Sequence, residues 1–302
     1  MSKRYLVLLL SIVCYQFLTS ELSWSGDFNF EEDIVFSIVD QVELKLDMAS
    51  PVDGNGPYPA LVYIFDTDWG YYYANGRRQG HLAIMRAAEH GYIAVTCDYR
   101  QTDVKKGRLS KYRFPDPVYD VKCAVRWLRA NAKKYRIDPE NIGAAGFCCG
   151  GHLALMLGLT RPSDELEGNC AYSEYSSQVK VVASSAGVTD LASLYIESTE
   201  MSYPIAAFIG GKLIGASPQD MPIDYAKASP VSYVYRDCPP ILTIHGENDK
   251  YIPIKQAFLL DERMNQVGAF HTLIIKKNEG HFDFTSEPEV FEFFDNYLKQ
   301  EH

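Results

Sequence analysis

The sequence holds no HExxH pair, no paired CxxC and no phosphate-binding glycine loop, so nothing in it points to a metal or nucleotide cofactor. Nor does it hold a block of basic residues. Its 29 Lys and Arg are outnumbered by 39 Asp and Glu, for a net charge of -10, which favours solubility and disfavours nucleic acid and anionic lipid as partners. Internal repeats and low-complexity tracts are absent as well. Cysteine is sparse: seven residues, with no dense disulfide framework in their spacing.

The N-terminal apolar run, YLVLLLSIVCYQFL, has 14 residues, where a membrane-spanning helix needs about 20. Lys3 and Arg4 precede it and TSELS follows it. A charged start, a short apolar centre and a small polar end predict a secretory signal over residues 1–20. The expectation is a secreted or periplasmic protein with no membrane association in its mature form, built as a single domain over 21–302. Without Cys14, six cysteines remain. Cys97 in an apolar run and Cys123 on a helical pattern read as buried thiols. Cys170 and Cys238 sit in loop-like sequence and leave their pairing open.

What is present is a globular composition, 47% hydrophobic and 23% charged. Short apolar runs alternate with helical patterns. The strand candidates are IVFSI (34–38), VELKLDM (42–48), ALVYIF (60–65), IAVTCD (93–98), IGAAGF (142–147), VVASS (181–185), ILTIH (241–245) and TLIIK (272–276). The first two alternate, as a half-exposed antiparallel edge does; the later ones are more continuously apolar, as a parallel sheet covered on both faces requires. In 117–135, Val118, Val121, Val125, Leu128, Ala132 and Tyr135 form one helical stripe. Helices are also expected over 81–90, 150–159, 255–267 and 287–300. Residues 161–180 and 192–228 read as irregular insertions. The pattern predicts an α/β fold with a doubly wound sheet of about eight mostly parallel strands and helices on both faces.

The chemistry centres on GFCCGGH, residues 146–152. Gly146 and Gly150 flank Cys148 at a strand-to-helix junction, the spacing of a nucleophile elbow, with cysteine where serine is usual. The helix N-terminus beyond it favours a thiolate and a developing anion. HGENDKYIP follows the seventh strand candidate and offers Asp249; NEGHFDF follows the eighth and offers His281. Nucleophile, acid, histidine is the chain order of α/β hydrolases. His281 is the candidate base, Asp249 the group that fixes its tautomer, and the Cys149 N–H an oxyanion donor.

Residues 42–302 resemble the esterase/lipase-type α/β hydrolases, especially the feruloyl- and acetyl-esterase-like group. The resemblance is carried by VELKLDMASP, YPALVYI, GYIAVTCDYR, FPDPVYDVKCAVRWLRANAKKYRIDPENIG, GGHLALMLGLT, ASPVSYV, CPPILTIHGENDKYIP and EGHFDF. It implies a carboxylic-ester hydrolase working through a covalent acyl-enzyme on acylated carbohydrate or other small esters. Two departures stand out. One is Cys148 itself. The other is FDTDW (65–69), where that group carries a histidine and three glycines before tryptophan. Thr67 and Asp68 are then the candidate oxyanion donors of this loop, although a carboxylate near a developing oxyanion opposes it.

GFCCGG is also similar to the elbow of the dienelactone hydrolases. That likeness implies a Cys–His–Asp triad with an acidic residue beside the oxyanion loop in contact with the cysteine; Asp66 stands at that position. Trp69 and Tyr71, in WGYYY, are candidates for stacking on a sugar or an aromatic acyl group. Two further readings stay open: a silent relative that binds a ligand in the cleft, and a lactone hydrolase.

Overall fold

The computed structural model describes residues 27–67, 76–101, 111–198 and 209–299. The expected signal segment and three candidate site residues, Asp68, Trp69 and Tyr71, lie outside these ranges.

Eight strands form one sheet: β1 (Phe28–Val39), β2 (Val42–Pro51), β3 (Tyr58–Ile64), β4 (Ile93–Cys97), β5 (Ile137–Phe147), β6 (Val181–Ser185), β7 (Ile241–Gly246) and β8 (His271–Lys276). Their spatial order is β1-β2-β4-β3-β5-β6-β7-β8. The β1–β2 and β2–β4 pairs are antiparallel; every pairing from β4 to β8 is parallel. All five residues of β4 and of β6 are buried. Successive side chains point to opposite faces, so unbroken burial means that both faces of the sheet are covered there. Half of the positions of β1 are exposed, as an edge strand allows.

The cover consists of α1 (His81–Glu89), α2 (Asp116–Ala130), α3 (Ala132–Tyr135), α4 (Cys149–Leu159), α5 (Leu191–Ser198), α6 (Pro222–Ala228), α7 (Lys255–Val267) and α8 (Pro288–Leu298). Every residue of α4 is buried, which its near-continuous run of Leu, Ala, Met and Gly allows. Val118, Val121, Val125 and Leu128 of the expected stripe are buried. The single helix expected over 117–135 is broken at Asn131, however, and its last turn, α3, ends at Arg136 in the left-handed region with φ 59°. Residues 192–228, expected to be irregular, contain α6 and nearly all of α5.

The 161–180 insertion is fastened to α2 by polar and covalent links. Cys123, expected as a buried thiol, is joined to Cys170 by a disulfide. Beside it the Lys122 side chain is fully buried and donates to Glu167 Oε1 at 2.5 Å. Arg126 also pairs with Glu167, and Ser177 Oγ donates to Glu167 Oε2 at 2.7 Å. A lysine so buried requires a counter-charge, and the insertion supplies it. Cys97 and Cys238 remain buried thiols.

The Cys123–Cys170 bridge spans 47 residues. Closing a loop of that size restricts the unfolded chain by up to about 4 kcal/mol. Chemical denaturation of wild type and a Cys123→Ser/Cys170→Ser variant is expected to show a loss of about 2–4 kcal/mol. Reductant is expected to lower the wild-type midpoint and leave the variant's unchanged; equal sensitivity of both would contradict a stabilising bridge.

Candidate active site

Parallel strands place their carboxyl ends along one rim of the sheet, and loops leaving neighbouring strands meet there. Three candidate residues leave by this rim. Cys148 follows β5 immediately, Asp249 follows β7 by three residues, and His281 follows β8 by five.

Cys148 has φ 53° and ψ -116°, a conformation costly for any residue with a Cβ. It links β5 to α4 with no intervening loop. The glycines around it make the junction sterically feasible. A Cβ on Gly150 would stand 2.0 Å from the Ile64 carbonyl oxygen, and one on Gly146 would stand 2.3 Å from the Gly150 oxygen. The first turn of α4 is thus pressed against the end of β3.

His281 Nδ1 lies 2.7 Å from Asp249 Oδ2. The Asp249 side chain is fully buried, whereas His281 keeps 15% exposure. Asp249 Oδ1 accepts the N–H groups of Tyr251 and Ile252, both at 2.9 Å. A second histidine, His245, lies behind it, with Nε2 3.4 Å from Asp249 Oδ2 and 2.9 Å from the Ile252 carbonyl. Burial raises the Asp249 carboxyl's pKa, but the hydrogen bonds from His245 and His281, the charge of His281 and the backbone donors outweigh it. The carboxyl is therefore held well below the usual carboxylate range. The His281 ring packs between Phe147, at 4.7 Å between centroids, and Tyr251, at 5.3 Å.

Ser185, at the end of β6, joins the two halves of the site. Its carbonyl accepts the Cys148 N–H at 2.9 Å. Its hydroxyl donates to the Phe282 carbonyl at 3.1 Å and accepts the Phe284 N–H at 3.0 Å. One residue therefore holds both the elbow and the segment that follows His281. Nothing in VVASS marks this role beyond a hydroxyl at the end of an apolar strand.

The strap after β3 departs from expectation. Thr67, anticipated as an oxyanion donor, is fully buried, and its N–H is directed at Cys149 Sγ, 3.1 Å away. The cause is that α4 begins against β3, which puts the Cys149 side chain beneath the strap. Asp66 Oδ1 accepts a hydrogen bond from the Cys149 thiol at 2.6 Å. The acidic residue beside the loop therefore contacts the cysteine one position beyond the elbow. Tyr99 OH completes the cluster, donating to the Phe65 carbonyl at 2.9 Å and lying 2.8 Å from Thr67 Oγ1. His152 is buried and bonds across the fold to the Ala228 carbonyl at 2.8 Å; burial pushes its pKa down to about 4.

Among the described residues, Glu32, Asp47 and His81 form a group with ligating atoms close enough to share a metal. Both Asp47 oxygens are already engaged, Oδ1 by Arg77 and Oδ2 by His81, each at 2.8 Å. The group reads as a salt-bridged brace between β2 and the start of α1. Among the described residues no helix is long and apolar enough to cross a membrane.

A strand-end cysteine elbow, a buried acid bonded to a histidine and a mostly parallel eight-stranded sheet define an α/β-hydrolase fold. Structural comparison agrees. A truncated carbohydrate esterase from gut microbiota superposes with a TM-score of 0.77 at 24% identity, over 92% of this chain and 99% of the other. A butyrate-bound esterase of Thermogutta terrifontis superposes with a TM-score of 0.68 at 25% identity, over 88% and 92%. In sequence, the probable carboxylic ester hydrolase LipM of Mycobacterium tuberculosis is 30% identical over 72% of this chain and 47% of its own length. The chain spans about half the length of the curated relatives it matches first. The BD-FAE family matches residues 46–264, and the chain belongs to that family.

Asp249 gives the site a pH signature. Its folded-state pKa is depressed, so its ionised form stabilises the fold above the unfolded value near 3.8, and that contribution fades as pH falls below it. Denaturation of wild type and Asp249→Asn from pH 6 to 3 is expected to show a stability difference that is constant above about pH 5 and shifts against wild type below about pH 4. A difference that stays flat to pH 3 would contradict this assignment.

Proposed function

We propose that the chain is a carboxylic-ester hydrolase acting through Cys148, His281 and Asp249 on acylated carbohydrate or other small esters. The observation that carries this reading is Ser185, which binds the elbow amide and the segment after His281 with its own carbonyl and hydroxyl. His281 directs Nδ1 at Asp249, which leaves Nε2 for proton transfer. Nε2 takes the Cys148 thiol proton as the sulfur attacks the acyl carbonyl. The Cys149 N–H, at the start of α4, stabilises the tetrahedral oxyanion. Collapse expels the alcohol, which receives the proton from His281, and leaves a thioester on Cys148. Water, deprotonated by His281, attacks the thioester; the acid departs and the proton returns to sulfur.

Phe147 and Tyr251 flank the imidazole, and Phe282 is 55% exposed beside it in sequence. These apolar groups suit the acyl portion of an ester. The similar esterase with bound butyrate supports a short acyl group. The Cys123–Cys170 disulfide supports a secreted or periplasmic setting, where such bonds persist. One observation favours a silent ligand-binding relative: the Thr67 N–H, a candidate oxyanion donor, is committed to sulfur.

Incubation with p-nitrophenyl acetate separates the readings. Steady turnover is expected, with an acyl adduct mapped by peptide mass to Cys148. His281→Ala is expected to lower kcat/KM by about 1,000-fold or more. An adduct without turnover would identify a stalled nucleophile. No adduct and no turnover would overturn the proposal in favour of ligand binding.

A further inference from the structure

Cys149 is the second cysteine of the elbow, and its thiol occupies a position that ordinary core packing does not explain. Its residue is fully buried. Its sulfur donates to Asp66 Oδ1 at 2.6 Å and accepts the Thr67 N–H at 3.1 Å. Tyr99 OH and Thr67 Oγ1 each lie 3.8 Å from the same sulfur. Both hydrogen-bonding capacities of the thiol are thus directed at two consecutive residues of the strap that follows β3. Tyr99 holds the same strap through the Phe65 carbonyl.

We infer that Cys149 is a positioning residue for acyl transfer, a thiol that locks the oxyanion-binding peptide of α4 to the 65–67 strap. The inference rests on the esterase reading of the site. Cys149 contributes two groups to the elbow. Its amide, the first of α4, is the proposed oxyanion donor; its side chain is anchored to Asp66 and Thr67. Fixing the side chain through both its donor and its acceptor fixes the residue's backbone, and with it the direction of that N–H. A displacement of about 1 Å in such a donor costs up to about 100-fold in rate. The sulfur does not react, and no bond to it forms or breaks.

The geometry makes a chemical demand. The residue after the nucleophile must donate to a carboxylate and accept from an amide while buried against the end of β3. Cysteine and serine meet this demand, and alanine does not. In Cys149→Ala the Thr67 N–H and Asp66 Oδ1 each lose a partner, and neither loss touches the substrate.

The test is steady-state kinetics on p-nitrophenyl acetate for wild type, Cys149→Ala, Cys149→Ser and Asp66→Ala, with thermal denaturation of each. Cys149→Ala is expected to lower kcat by about 10- to 100-fold with KM within about threefold. Cys149→Ser is expected to recover kcat to within about fivefold of wild type, because its hydroxyl offers the same donor and acceptor. Asp66→Ala is expected to match Cys149→Ala, and the double variant to be no slower than the worse single, as for two parts of one device. A Cys149→Ala enzyme within twofold of wild type in kcat overturns the inference. So does a loss that serine does not repair. Wild type without turnover and without a Cys148 adduct removes the esterase reading first and this inference with it. Should Cys149→Ala fail to fold, the serine and Asp66→Ala comparisons decide the matter alone.

Discussion

The site depends on how closely the first turn of α4 approaches the end of β3. A Cβ at Gly150 would stand 2.0 Å from the Ile64 carbonyl oxygen, against backbone that cannot yield. That contact has three consequences. It forces the chain to turn from β5 into α4 within a single residue, so Cys148 takes the positive φ that lifts it onto the rim. It brings the Cys149 side chain beneath Phe65, Asp66 and Thr67. It also places the start of a fully buried helix, whose first N–H groups have no intrahelical acceptor, beside the reacting atoms of the proposed chemistry.

The strands of this fold are legible in the sequence for a physical reason. A parallel sheet covered on both faces needs apolar residues at successive positions, and IAVTC and VVASS meet that need without help from distant residues. The antiparallel edge is less regular: β1 exposes Glu31, Glu32 and Asp33 in succession and buries Phe36 and Ser37 together, where its register with β2 shifts. The helix over 117–135 is harder. Its apolar stripe runs unbroken through Asn131, and only the left-handed turn at Arg136 and the break before α3 show that the last turn is separate. The helices within 192–228 carry short or weak apolar faces and form against the body of the protein, so local pattern understates them.

The site divides in the same way. Cys148, Asp249 and His281, the proposed triad, are picked out by the sequence because each follows a strand and the chain order is informative. Their supports do not stand out, since each is defined by contact across the sheet. Ser185 is a hydroxyl in an apolar run; only the packing of β6 between β5 and β7 turns it into the link between elbow and histidine segment. His245 looks like one more residue of β7 until its ring is found behind Asp249. Cys123 reads as a core thiol because its partner, Cys170, lies 47 residues away in an insertion whose path no local pattern dictates.

Adjacent cysteines on one turn invite the idea of interchangeable roles, but the geometry separates them. A strand-to-helix elbow sends consecutive side chains in different directions. Cys148 is buried at the strand end, its N–H accepted by the Ser185 carbonyl. Cys149 is held by its side chain and points into the protein, where Asp66 takes its hydrogen and Thr67 supplies another. Exchanging the two tasks would require rebuilding either the strained turn or the strap. The acidic residue beside the loop therefore has a place set by distance rather than by alignment: it stands where the second sulfur is, in contact with the thiol that follows the proposed nucleophile.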